Sequence, residues 1–131
     1  PSALSGFIRT VRDGHPTTPL VVASMVWYGP LEDRAPLGAP QFLSASKLRQ
    51  LVREVVETLR GLGDDQLFYR DGLEMLGKSE DALLYDKIHP NAKAHGLMAR
   101  RFAELEFGPK GRLLPGRFDA ARATEVRPPA E

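Results

Sequence analysis

Asp86, His89 and Pro90 stand in one short run, "DKIHPNAKAH", at residues 86–95. A carboxylate three residues ahead of a histidine, in a tight turn, reaches the imidazole Nδ1–H. There it fixes the tautomer and stabilises the imidazolium, leaving Nε2 as a general base. Pro90 suits the first turn of a helix, where its missing N–H would lack a partner anyway, and this spacing predicts His89 as the N-cap of a helix beginning at Pro90. The competing reading is a plain helix entrance. First turns welcome acids and proline on their own account, and a D-x-x-H-P string arises by chance in a chain of this length at the order of a few per cent. The motif alone leaves both readings open.

The other chemistry-bearing residues group less well. His95 falls on a different face of the same expected helix from His89, so the two make no metal pair. His15 lies in the "GHPTTP" turn and reads as structural, as does Asp71 beside Gly72. Trp27 and Tyr28 open the loop "WYGPLEDRAPLGAP", residues 27–40. An aromatic pair there either lines an acyl or leaving-group pocket, or Trp27 plugs the loop onto the sheet. Ser2, Ser5 and Ser24 have no G-D-S or G-x-S-x-G context, and none is expected on the sharp turn a nucleophile needs. The sequence holds no H-E-x-x-H, Walker A or G-x-G-x-x-G motif, and no metal or organic cofactor is implied.

These residues need a scaffold, and periodicity supplies one. Leu4, Phe7, Ile8 and Val11 share one face of a helix that stops near Gly14-His15-Pro16. Leu20 to Val26, "LVVASMV", is a nearly continuous apolar run, as expected of a parallel strand covered on both faces. Leu48, Leu51, Val52, Val55, Leu59 and Leu62 hold helical spacing, with Ser44 or Ser46 as N-cap and Gly61 or Gly63 as terminator. Residues 66–70, "QLFYR", read as a second strand. Ala94, Leu97, Met98, Phe102 and Leu105 mark the last helix. Residues 1–107 are thus expected to form the domain part of the chain, the C-terminal portion of a larger α/β domain. Residues 108–131 read as a loosely docked tail carrying Pro109, Pro115, Pro128 and Pro129, with an apolar anchor at Leu113, Leu114 and Phe118.

The order helix, strand, helix, strand, helix contains one βαβ unit, whose right-handed crossover makes the strands parallel neighbours. Two strands are few for a sheet buried on both sides. The expectation is therefore that this chain is the C-terminal part of a larger α/β domain, or that a second chain or a missing N-terminal segment completes the sheet. The start at Pro1 rather than at a methionine agrees with that expectation, under which a native start and any signal peptide could have been lost upstream.

Composition excludes several classes. The 131 residues carry 18 Lys and Arg against 17 Asp and Glu, a formal charge of +1, with no basic block. The electrostatic footprint of a nucleic-acid or anionic-membrane binder is missing, and small or neutral partners fit better. There is no cysteine, which removes disulfides, thiolate nucleophiles and Cys-ligated zinc but does not choose between cytosol and export. No apolar run approaches the roughly 20 residues of a membrane span.

At these residues the sequence resembles the SGNH hydrolases, the GDSL-type esterases and acylhydrolases, whose last characteristic block is an Asp-x-x-His-Pro ahead of the final helix. The stretches "FIRTVRDGHPTTPLVVAS" (7–24), "YRDGLEMLG" (69–77) and "YDKIHPNAKAHGLMARRFA" (85–103) carry the resemblance over most of the chain. It implies a flavodoxin-like three-layer α/β/α sandwich with a parallel sheet. It also implies hydrolysis of a small-molecule ester by a Ser-His-Asp triad in which Asp86 and His89 supply the acid and the base. The nucleophilic serine and the oxyanion-hole Gly and Asn of such an enzyme would lie upstream of Pro1, so this chain alone is expected to be inactive. Two departures are visible: Lys87 replaces the glycine common after the family's Asp, and Met25 replaces a proline common after the strand serine. A non-catalytic α/β interaction module is the alternative.

Overall fold

The computed structural model describes residues 2–35, 43–114 and 116. The first helix, α1, spans Ser2–Gly14 as the pattern predicts. Ile8 is buried in its contact face with Leu4 packed beside it, whereas Phe7, expected on that face, is 67% exposed. The helix rests on its neighbour along the i, i+4 line through Leu4 and Ile8, and Phe7 falls outside that line.

Strands β1, Leu20–Ala23, and β2, Leu67–Arg70, pair in parallel, with Leu20 opposite Leu67 and Ala23 opposite Arg70. Both are shorter than their apolar runs. Past Ser24, whose N–H still bonds the Arg70 carbonyl, the Met25 and Val26 carbonyls turn to the Arg49 guanidinium instead of a neighbouring strand. Gln66 enters the ladder only through its carbonyl, which accepts the Leu20 N–H. Leu20, Val21 and Val22 are half-buried and Ala23 is exposed, so β1 is less covered than a strand enclosed on both faces.

Helix α2, Ala45–Gly61, lies between the strands in sequence. The Ser44 hydroxyl caps it by accepting the Lys47 N–H. Beyond Leu62, Gly63 takes φ +106°, a left-handed value that glycine adopts without a Cβ penalty. The buried line runs through Ala45, Arg49, Val56 and Leu59, with Val55 beside it. Leu48 and Leu62, assigned to the apolar stripe from spacing, are exposed. The stripe is thus rotated toward Val56, because Arg49 occupies a buried position that hydropathy alone marks as surface.

Helices lie on both sides of the sheet. Leu20, Val22, Leu67 and Tyr69 join Ile8, Val55, Val56 and Leu59 in the core under α1 and α2. Arg70, one residue out of phase with Tyr69, meets Glu106 of α3, Ala92–Phe107, in an ion pair of 2.5 Å. The fold is mixed α/β with a parallel sheet and helices around it, compatible with the flavodoxin-like α/β expectation. A second core of Leu76, Leu84 and Ala94, with Val26, Trp27, Leu83, Leu97 and Met98 against it, fills the space between α3 and the loops that leave the strands.

Among the described residues three short 3-10 turns, Gly29–Leu31, Gly72–Glu74 and Lys78–Leu83, break up segments the sequence leaves as loops. In the expected tail, Leu113 is half-buried and Leu114 is 55% exposed, and both backbone N–H groups bond the Glu106 carbonyl. Pro115, Phe118, Pro128 and Pro129, and residues 36–42 of the aromatic loop, lie outside the described residues. No helix among the described residues is long and apolar enough to cross a membrane.

Candidate active site

Beyond β2, the chain crosses the carboxyl end of the sheet in a series of tight turns. Asp71 caps the first, accepting the Leu73 N–H and pairing with Arg53, which is the turn role its sequence context predicts. Gly72 lies against the end of β1, where a Cβ would stand 2.2 Å from the Met25 carbonyl oxygen. Its N–H donates to the Ser24 hydroxyl, which also shares a 2.9 Å hydrogen bond with the Tyr69 hydroxyl. Ser24 is buried and committed to joining the strand ends. Ser5 lies in α1, in a groove of about 260 Å³ between α1 and α2.

Leu84 and Pro90 then pair as an isolated antiparallel bridge, with the Tyr85 N–H on the His89 carbonyl and the Asn91 N–H on the Leu83 carbonyl. The bridge pinches residues 85–89 into a closed loop. Here the structure corrects the expected helix start: Asn91, not His89, is the N-cap of α3, its side-chain oxygen accepting the Ala94 N–H. Pro90 is drawn into the bridge, so the histidine stands on the loop and is freer of the helix than a cap would be.

Within the loop, Asp86 acts as the hub. Its Oδ1 accepts the backbone N–H groups of Ile88 and His89, and its Oδ2 stands 2.6 Å from His89 Nδ1. The imidazole bond, then the His89 and Ile88 backbone donors, hold the Asp86 carboxyl down at about 2. A carboxylate so depressed carries no proton near neutrality, so the proton shared at 2.6 Å belongs to Nδ1. The lone pair of neutral His89 is then on Nε2. Nε2 bonds no described residue, and the His89 side chain is 60% exposed. The arrangement can take a proton at Nε2 from a hydroxyl presented from outside and return it to a leaving group, with Asp86 steadying the imidazolium.

The surroundings add an aromatic neighbour and a backbone contact that the sequence did not single out, at Tyr85 and Gly29. Tyr85 is 72% exposed and its ring stacks beside His89, centroids 5.8 Å apart. Lys87 takes φ +69°, the left-handed value for which a glycine would be the undemanding choice, so a lysine there sits in a strained backbone position. Gly29, at the end of the loop from β1, packs directly on the Lys87 carbonyl. The Lys87 signal was legible as a replaced glycine; the Gly29 contact joins residues far apart in sequence and leaves no local pattern.

Trp27 and Tyr28 are not brought together with His89 by any hydrogen bond or ring contact among the described residues. Trp27 packs into the second core, donates Nε1–H to Asp81 at 2.7 Å and lies under Lys78. Tyr28 is half-buried, and its N–H reaches Glu32. His15 and His95 are both exposed and apart from the loop. Among the described residues no three His, Cys, Asp or Glu side chains are placed to hold a metal ion. The α1–α2 groove and a shallower hollow of about 390 Å³ around Arg12 and Asp64 border neither Asp86 nor His89.

No protein-family model matches the chain, and no curated protein matches it. Among solved structures it is similar to a salicylyl-acyltransferase, SsfX3, from a tetracycline biosynthetic pathway, with 33% identity and a TM-score of 0.62. The match covers 76% of this chain and 29% of that one, so the chain spans less than a third of the enzyme it matches.

Proposed function

We propose that this chain carries the acid–base half of a serine acyl-transfer site of the SGNH, GDSL-type kind, and that the whole protein hydrolyses a small-molecule ester. The observation that carries the reading is the Asp86–His89 pair, with Nδ1 occupied by the carboxylate and Nε2 exposed and open. The likeness to an enzyme named as an acyltransferase supports acyl chemistry, since hydrolysis and transfer share every step up to the choice of acceptor.

In this reading a serine hydroxyl from outside these residues attacks the ester carbonyl while His89 Nε2 takes its proton. The tetrahedral intermediate collapses, Nε2–H protonates the departing alcohol oxygen, and an acyl-serine remains. Water, deprotonated by the same nitrogen, then releases the acid and restores the serine. Asp86 stabilises the imidazolium in both halves. The reading assigns the serine to a segment outside these residues, supported by the burial of Ser24 between Tyr69 and Gly72 and by the place of Ser5 in the α1–α2 groove, which borders neither Asp86 nor His89. The exposed ring of Tyr85 would form a wall of the site beside the scissile ester.

Fluorophosphonate labelling of the intact protein, alongside turnover of a p-nitrophenyl ester, tests the proposal. One labelled serine, lost together with turnover in His89→Ala, is the expected result. Labelling of Ser5 or Ser24 would overturn the location of the nucleophile. No labelling and no turnover in a folded protein would favour a non-catalytic interaction module.

A further inference from the structure

We infer that Gly29 is a positioning residue for the histidine turn: lacking a Cβ, it lets the loop after β1 bear directly on the Lys87 carbonyl and so sets where Asp86 and His89 stand at the sheet edge. Gly29 is buried at φ +53°, and a Cβ there would lie 2.0 Å from the Lys87 oxygen, 3.2 Å from its carbonyl carbon and 3.6 Å from Leu84 Cδ1. The obstacle is backbone, which cannot swing aside as the tip of a side chain can. The Lys87 peptide is also hemmed in on its own side. It sits at φ +69° between Asp86 and the two N–H groups that Asp86 binds, and the Leu84–Pro90 bridge closes the loop at its base. Moving that carbonyl rotates the peptide on which the Asp86 bonds depend.

The loop that carries Gly29 is equally constrained. Gly29 opens a 3-10 turn whose last hydrogen bond runs from the Glu32 N–H to the Gly29 carbonyl. The Glu32 carboxylate is buried in an ion pair with Arg49 of α2, and the Ser46 N–H bonds the Glu32 carbonyl. Arg49 also donates to the Met25 and Val26 carbonyls at the end of β1. Helix α2, the end of β1 and the histidine turn are thereby linked through one strut, and Gly29 is its point of contact with the turn.

This inference takes its functional meaning from the reading of Asp86 and His89 as a reacting pair, but the placement is measured without turnover. In the intact protein, Gly29→Asn is compared with Gly63→Asn. Asparagine tolerates the left-handed φ of Gly29 better than other side chains, so the backbone cost there is reduced, while Gly63→Asn carries backbone strain without a contact. Only at Gly29 does the new Cβ meet an obstacle, since Gly63 at φ +106° has nothing within 4 Å. The readouts are the imidazole ¹⁵N shifts of His89 and the ¹³C titration of the Asp86 carboxyl. Gly29→Asn is expected to move the Nδ1 shift and raise the Asp86 midpoint by about one pH unit, as the bonds to the carboxylate weaken; Gly63→Asn leaves both unchanged. Unchanged His89 and Asp86 signals in folded Gly29→Asn would overturn the inference whether or not the protein is an esterase. Should Gly29→Asn fail to fold, Lys87→Gly is added to free the turn: recovery of the fold supports the contact, and continued failure overturns it.

Discussion

His89 holds Asp86 twice, through its imidazole Nδ1–H at 2.6 Å and through its own backbone N–H at 2.7 Å. The carboxylate is therefore anchored even when the ring is removed, and the loop does not depend on the imidazole for its shape. Replacements at the two positions can accordingly separate chemistry from folding.

In the proposed enzyme, His89→Ala should abolish most turnover of a p-nitrophenyl ester. Asp86→Asn should cost up to about 10⁴-fold in kcat, because an amide N–H facing Nδ1 imposes the wrong tautomer. The amide oxygen can still accept the Ile88 and His89 N–H groups, so thermal unfolding of Asp86→Asn should stay near that of the parent. Full activity in a folded His89→Ala would remove the assignment.

The Asp86 carboxyl should titrate near 2, against an ordinary 3.8. Because the folded value is the lower one, the bond stabilises the protein fully above the ordinary carboxylate range and ceases to do so as pH falls through about 2. Carboxyl ¹³C shifts followed during acid titration measure this, and His89→Ala should move the midpoint upward by removing its largest cause. A midpoint near 3.8 in the unmodified protein would show that the bond is absent in solution.

Along α2, Leu59→Ala should cost about 2–5 kcal/mol, whereas Leu62→Ala, at an exposed site, should stay within about 0.5 kcal/mol. Val56→Asp should prevent folding by placing an unpaired carboxylate where no solvent reaches. Urea unfolding of the alanine variants checks the rotation of the stripe, and equal losses at Leu59 and Leu62 would contradict it.

At the other face of the sheet, Glu106 is wholly buried with one oxygen on Arg70 and the other without a partner among the described residues. Glu106→Ala strips Arg70 of its buried counterion and leaves it only the more exposed Glu74, at a cost of about 3 kcal/mol. Replacing the pair together, Arg70→Met with Glu106→Leu, should come close to neutral in denaturant midpoint. A double variant as unstable as the single one would mean that the ion pair itself holds α3 in place.

The helices and the parallel strands were legible because each rests on local spacing: Ser44 before an apolar stripe, Gly63 after it, and a βαβ order that admits one crossover hand. The Asp86–His89 contact was legible for the same reason, being closed within three residues. Other features arise from contacts distant in sequence. Arg49 reads as surface until Glu32 and two carbonyls are seen around it, and Phe7 reads as core until the line of helix contact is known. Pro90 fits a helix start by its own chemistry, yet the bridge to Leu84 claims it and moves the cap to Asn91.

The Leu84–Pro90 bridge has a consequence for the order in which the protein assembles. Closing so short a loop costs little chain entropy, whereas β1 and β2 must find each other across the whole of α2 before their register exists. The histidine and its acid can therefore meet early, while the chain is still searching for its sheet. Folding then supplies the pair with an address, through Gly29 and the strut behind it.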